Sequence, residues 1–188
     1  MDHKELNNRI IENPAVQDKV TFLETSDETG GAHSLILVDL AAGGGNSDHY
    51  HDIFTEEFIA VEGILTVVVE GQTIQLQPGE SHLVNLFEEH AFYNRQTERI
   101  KFQVKISPGN KDFEAFLQIM YGLAKDGKTN NKGIPKSFWD IAAVGLISNT
   151  LPAKNTLLHF MIPFFKWLGK KAEKRGKLAE LKKRYVRI

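Results

Sequence analysis

The stretch Gly43-Gly44-Gly45-Asn46-Ser47-Asp48-His49-Tyr50-His51-Asp52-Ile53-Phe54-Thr55-Glu56 decides how this chain is read. A glycine run closes one segment, two histidines stand one residue apart, and a carboxylate follows five positions later. On a strand His49 and His51 share a face, because side chains alternate with period two. Their Cα atoms then lie roughly 6.5–7 Å apart, close enough for both imidazoles to reach one ion. Glu56 offers an oxygen from the next strand. His90, in Glu88-Glu89-His90-Ala91-Phe92-Tyr93-Asn94, offers a third nitrogen from a hairpin across the fold. Three imidazoles and one carboxylate suit Fe(II), Mn(II), Co(II), Ni(II) or Zn(II). A six-coordinate ion so held keeps open positions, which is the ground for expecting small-molecule chemistry.

Working outward, short β-forming runs flank this stretch on both sides. Val20–Thr25 and Ser34–Leu40 precede it, with Asp27-Glu28-Thr29-Gly30-Gly31 as a turn between them. After it come Glu56–Glu62, Ile64–Val69, Gln72–Leu76, Ser81–Leu86, His90–Asn94 and Arg99–Ile106. Glu70-Gly71 is a two-residue hairpin connection of the preferred kind. The last run alternates, with Ile100, Phe102, Val104 and Ile106 on one face and Arg99, Lys101, Gln103 and Lys105 on the other. Short strands at such spacing with glycine-rich turns predict an antiparallel sandwich or barrel. Beyond Ser107-Pro108 the period changes. Phe113, Phe116, Leu117, Met120, Tyr121 and Ala124 follow helical spacing with Asp112 as candidate N-cap, and Phe138–Ile147 predicts a second helix. The expected organisation is an N-terminal arm or short helix over 1–19, a β-barrel over 20–107 and a helical extension with a basic tail over 108–188.

The residues now carry a resemblance. Gly43-x5-His49-x-His51-x4-Glu56-x6-Gly63 is similar to the first cupin motif at every specified position. Gly79-x5-Asn85-x-Phe87-x2-His90-x3-Asn94 resembles the second, with Asn85 where the family usually has Pro and Phe87 where it usually has Gly. The resemblance implies a double-stranded β-helix, or jelly-roll cupin barrel, here with a C-terminal α-helical extension. It implies a divalent transition metal (Fe, Mn, Ni, Co or Zn) inside one end of the barrel, with His49, His51, Glu56 and His90 as its ligands. It further implies a homodimer and a small-molecule ligand or substrate. Family chemistry spans dioxygenases, decarboxylases, sugar isomerases and non-catalytic binding proteins. An oxygenase or isomerase is therefore expected, with a ligand-binding or sensing barrel as the alternative, and no residue stands out as a dedicated general base.

Rival residues weigh less. Glu57 is one residue out of phase with Glu56 and faces the other way on a strand. His82 follows Gly79 too closely, so the spacing favours His90. His33 and His159 are isolated and are expected to be structural or surface residues. Tyr50, Phe58, Phe92 and Tyr93 are expected in the core, with the wall of a substrate pocket as the alternative, and none as a catalytic group.

Composition narrows the rest. The formal net charge of −1 offers no bulk attraction to nucleic acid, and no recognition motif accompanies the basic residues. There is no cysteine, hence no disulfide and no thiolate ligand. The N-terminal residues lack the apolar run of a signal peptide, so a cytoplasmic protein is expected. From Lys166 to Ile188 ten Lys/Arg face two Asp/Glu. A basic amphipathic tail of this kind suits either helices packed on the barrel, the favoured reading, or an anionic membrane surface.

Overall fold

The computed structural model describes residues 8–188. Eleven strands form two antiparallel sheets among these residues. They are β1 (Ile10–Asn13), β2 (Asp18–Glu24), β3 (Ser34–Leu40), β4 (His49–Tyr50), β5 (Thr55–Glu62), β6 (Leu65–Val69), β7 (Gln72–Leu76), β8 (Ser81–Val84), β9 (His90–Tyr93), β10 (Ile100–Ser107) and β11 (Leu151–Pro152). One sheet runs β1-β2-β3-β10-β5-β8 and the other β11-β4-β9-β6-β7. This is the jelly-roll barrel, followed by helices α1 (Lys111–Lys125), α2 (Phe138–Ile147), α3 (Leu157–Phe160), α4 (Ile162–Lys174) and α5 (Lys177–Tyr185).

The alternation that predicts each strand also fills the barrel. Ile36, Val38 and Leu40 of β3 and Ile100, Phe102, Val104 and Ile106 of β10 are all buried, while their neighbours in sequence are more exposed. Phe22, Phe58 and Val67 have no accessible surface and join them in the barrel core. At Glu70-Gly71 both residues have positive φ, 47° and 76°, which turns the β6–β7 hairpin with Val69 opposite Gln72. Gly63 has φ +75°, and a Cβ there would stand 2.6 Å from Ile100 Cγ2, so both backbone and space require glycine.

Two expectations need correction. The segment 1–19 is not simply an arm or a helix. Residues 1–7 lie outside the described structure, but Ile10–Asn13 form β1, and β2 already begins at Asp18. Its pairing of Ile10 with Thr21 and Ile11 with Val20 makes it a sheet-edge strand too short to show a period. The N-cap of α1 is Asn110 rather than Asp112. Asn110 Oδ1 accepts from Phe113 N at 2.8 Å, whereas Asp112 sits in the first turn and pairs with Lys182 at 2.8 Å.

The helices pack on one another through Ile119, Leu123, Ala143, Leu168, Ala172 and Leu181. They are fastened to the barrel by polar contacts as well. Glu114 of α1 is 5% exposed, and its Oε1 accepts from Ser26 N at 2.7 Å and from Ser34 Oγ at 2.5 Å. Strand β11 pairs with β4, setting Leu151 opposite Tyr50 and Pro152 opposite His49. No helix among the described residues is long and apolar enough to cross a membrane.

Candidate metal centre

Both sheets contribute to the site. His49 on β4 lies directly opposite His90 on β9, and their ring centroids are 4.3 Å apart. His51 follows just past the paired end of β4, with its ring 4.9 Å from that of His49. Glu56 comes from β5 in the opposite sheet, where Phe58 and Ala60 continue its inward face. One potential ligand atom from each of the four lies within 4.8 Å of all the others. His51, Glu56 and His90 are buried. Phe54 stacks on the His51 ring at 4.3 Å and fixes its plane.

The outer nitrogens explain why the rings face inward. His49 Nδ1 lies 2.9 Å from Ser47 O, His51 Nδ1 2.7 Å from Asn149 O, and His90 Nδ1 3.0 Å from Glu88 O. A carbonyl can only accept, so each Nδ1 carries a proton and donates it, and each Nε2 is turned into the cluster. Asn149 is held in turn. Its φ is +49°, and its Nδ2 donates to Asn110 Oδ1 at 3.2 Å, tying the turn after α2 to the cap of α1.

Electrostatics follow from burial and proximity. Burial of Glu56 alone would raise its pKa, but His51 and His90 beside it prevail and hold the carboxyl well below its usual range. Burial opposes the charged form of His90, yet its Nε2 donates to Glu56 Oε2 at 3.1 Å, and its pKa is raised. His49 is pushed down to about 4, first by burial and then by His90. One atom stands out. His51 Nε2 is buried without a hydrogen-bond partner, 3.6 Å from Glu56 Oε1. A buried polar nitrogen facing a carboxylate oxygen across that gap is unsatisfied as it stands, and a cation between them would satisfy both.

The rivals fall elsewhere. Glu57 accepts from Ser81 Oγ at 3.1 Å on the outer face. His82 on β8 pairs across from Phe58 and is outside the four-residue cluster. His33 contacts Glu24 at 2.6 Å, and the His159 ring lies 6.1 Å from that of Tyr50. Phe87, standing where a glycine is usual, takes the glycine's conformation with φ +65°, and its N–H donates to His51 O at 2.8 Å. Sequence reasoning missed Asn149 and β11, both from the extension and both against the histidine strand.

A comparison with protein families agrees with this geometry. The family described as Cupin domain matches residues 36–106, which run from β3 through β10 and contain all four clustered residues. The barrel of this chain is similar to the cupin domain family. The chain is 36% identical over 73 residues to quercetin 2,3-dioxygenase of Bacillus subtilis, a match covering 39% of this chain and 21% of that relative. The chain thus spans about a fifth of the relative's length. Among solved structures it is similar to KdgF from Halomonas sp., at 17% identity over 50% of this chain and 83% of that one, with a TM-score of 0.46. It is likewise similar to an RmlC-like cupin from Shewanella frigidimarina, at 21% identity over 55% and 86% of the two chains, with a TM-score of 0.47.

Proposed function

We propose that this chain holds one divalent transition-metal ion on His49, His51, Glu56 and His90 and uses it on a small molecule, as an oxygenase or an isomerase. The observation that carries the reading is the buried, partnerless Nε2 of His51 beside Glu56, within a cluster whose three Nδ1 atoms are all turned away onto carbonyls. The partial similarity to quercetin 2,3-dioxygenase supports oxygen chemistry over isomerisation. The bound ion would supply Lewis acidity or redox capacity. The chain supplies ligand orientation through Ser47, Asn149 and Glu88, and apolar walls that limit water.

Elemental analysis of the purified protein tests this reading, with wild type beside His90→Ala and His82→Ala. Close to one equivalent of metal, lost with His90→Ala and kept with His82→Ala, is expected. Iron would direct a substrate screen toward oxygen consumption, and zinc or manganese toward isomerase or lyase chemistry. A wild type that stays metal-free after reconstitution overturns the reading.

A second reading is favoured by the surface of α3 and α4. Leu157 and Phe160 are each 75% exposed, and Phe164 and Trp167 about half exposed, beside Lys166, Lys170 and Lys171. Such a face suits a ligand-binding cupin seated on an anionic membrane. Co-sedimentation with anionic vesicles, reversed by salt, is the expected result. Absence from the pellet at low salt removes it.

A further inference from the structure

The histidine cluster opens into a chamber much larger than an ion and a few waters require. A cavity of about 890 Å³ takes in His49 and Glu56 and extends between the barrel and helices α2 to α4. That volume lies in the upper part of the range of about 300–1,000 Å³ typical of ligand sites. Its walls are hydrocarbon on both sides, with Val38, Phe58 and Phe92 from the barrel and Ile141, Leu158 and Phe165 from the extension. The last three are 41%, 53% and 40% exposed, so the extension's side of the chamber meets solvent through apolar side chains.

Most of the few hydroxyls in the wall are already engaged with the chain. Tyr121 Oη donates to Asp18 Oδ2 at 2.6 Å, Thr150 Oγ1 to Ser148 O at 3.1 Å and Thr156 Oγ1 to Ala153 O at 2.7 Å. Away from the cluster the unengaged polar groups of the wall are few, chiefly Asp18 Oδ1, buried without a hydrogen-bond partner, and Lys166, and they stand among apolar side chains. A two- or three-carbon acid at the cluster would leave most of the space to water against hydrocarbon, whereas an alkyl body would displace that water.

We infer that the chamber binds an amphiphile, with a hydrocarbon body between barrel and extension and an oxygen-bearing head at His49 and Glu56. Placement of the head rests on the metal reading proposed above; placement of the body does not.

Calorimetric titration of the full-length protein with straight-chain saturated carboxylates from butanoate to dodecanoate, all below micellar concentrations, tests the inference. It is run metal-free and Co(II)-loaded, on wild type and Gly145→Phe. Gly145 lines the chamber from α2, and a Cβ there meets nothing within 4 Å, so the larger side chain enters open space and raises helix propensity. Affinity is expected to rise about fourfold per methylene, the equivalent of ~0.8 kcal/mol for each buried CH2. The slope is expected to be the same in both metal states, with cobalt tightening the whole series by a constant factor. Gly145→Phe is expected to abolish the gain for the longer acids while melting at least as high as wild type. Affinities that stay flat along the series, or a Gly145→Phe protein that binds dodecanoate as wild type does, overturn the inference. One equivalent of cobalt with a flat series would sink the amphiphile and leave the metal site standing. A steep series untouched by cobalt would support the hydrocarbon body and count against both the head placement and the metal reading.

Discussion

Three imidazoles give their Nδ1 protons to three main-chain carbonyls, and two of those carbonyls belong to residues only two positions away, Ser47 and Glu88. The third belongs to Asn149, almost a hundred residues on. Its left-handed backbone is tolerated by asparagine far better than by alanine. Asn149→Ala is therefore expected to cost about 1–2 kcal/mol of stability, from the conformation and the lost bond to Asn110. Metal affinity should fall by roughly 10–100-fold, as when other partners that orient a ligand are removed. Chelator competition and urea unfolding check the two effects, and Asn149→Gly, which keeps the conformation, should retain more of the affinity. This residue also marks how far the site was legible beforehand. The four clustered side chains were readable because histidine and glutamate at that spacing are chemically distinctive. Asn149 acts through a carbonyl that every residue possesses, and no sequence pattern announces it. Phe87 is the converse case. The cupin motif usually has glycine there, and here a phenylalanine carries a positive φ.

At the scale of elements, the strands and helices with a strong period were legible almost to the residue, as at Ser34–Leu40, Gln72–Leu76 and Phe138–Ile147. β1 and β11 were not. Four residues and two residues show no period, and β11 includes a proline, so only tertiary pairing defines them. The joint between α1 and the barrel rests on the buried carboxylate of Glu114. Glu114→Leu would leave Ser26 N–H and the Ser34 hydroxyl without their acceptor, and a loss of about 2–3 kcal/mol is expected in urea unfolding. A second joint titrates. Arg9 beside Glu28, and then the N–H of Thr25, hold the Glu28 pKa down to about 2, against 4.5 unperturbed. Its contribution is thus present above pH 4.5 and is lost as pH falls from there toward 2. Glu28 is 46% exposed, so solvent screening keeps the contribution to about 1 kcal/mol or less. Glu28→Gln should be measurably less stable than wild type at pH 7, and the two should converge near pH 2.

Over the whole molecule, the candidate ion would join parts that otherwise meet through apolar packing and a few hydrogen bonds. Ligands from both sheets, one of them steadied by the extension, mean that metal binding would favour only the complete fold. At a metal concentration 100-fold above Kd the protein should gain about 2.7 kcal/mol, seen as a rise of several degrees in Tm. His51→Ala should show no such rise. The pairing of β11 with β4 has a consequence for how this lineage can change. The segment after α2 touches the histidine strand while supplying none of the clustered side chains. On the proposed metal reading, substitutions there would retune affinity for the ion with the four clustered side chains left untouched. Natural variation in the extension would then be a second dial on the metal, one that a comparison confined to residues 36–106 would never register.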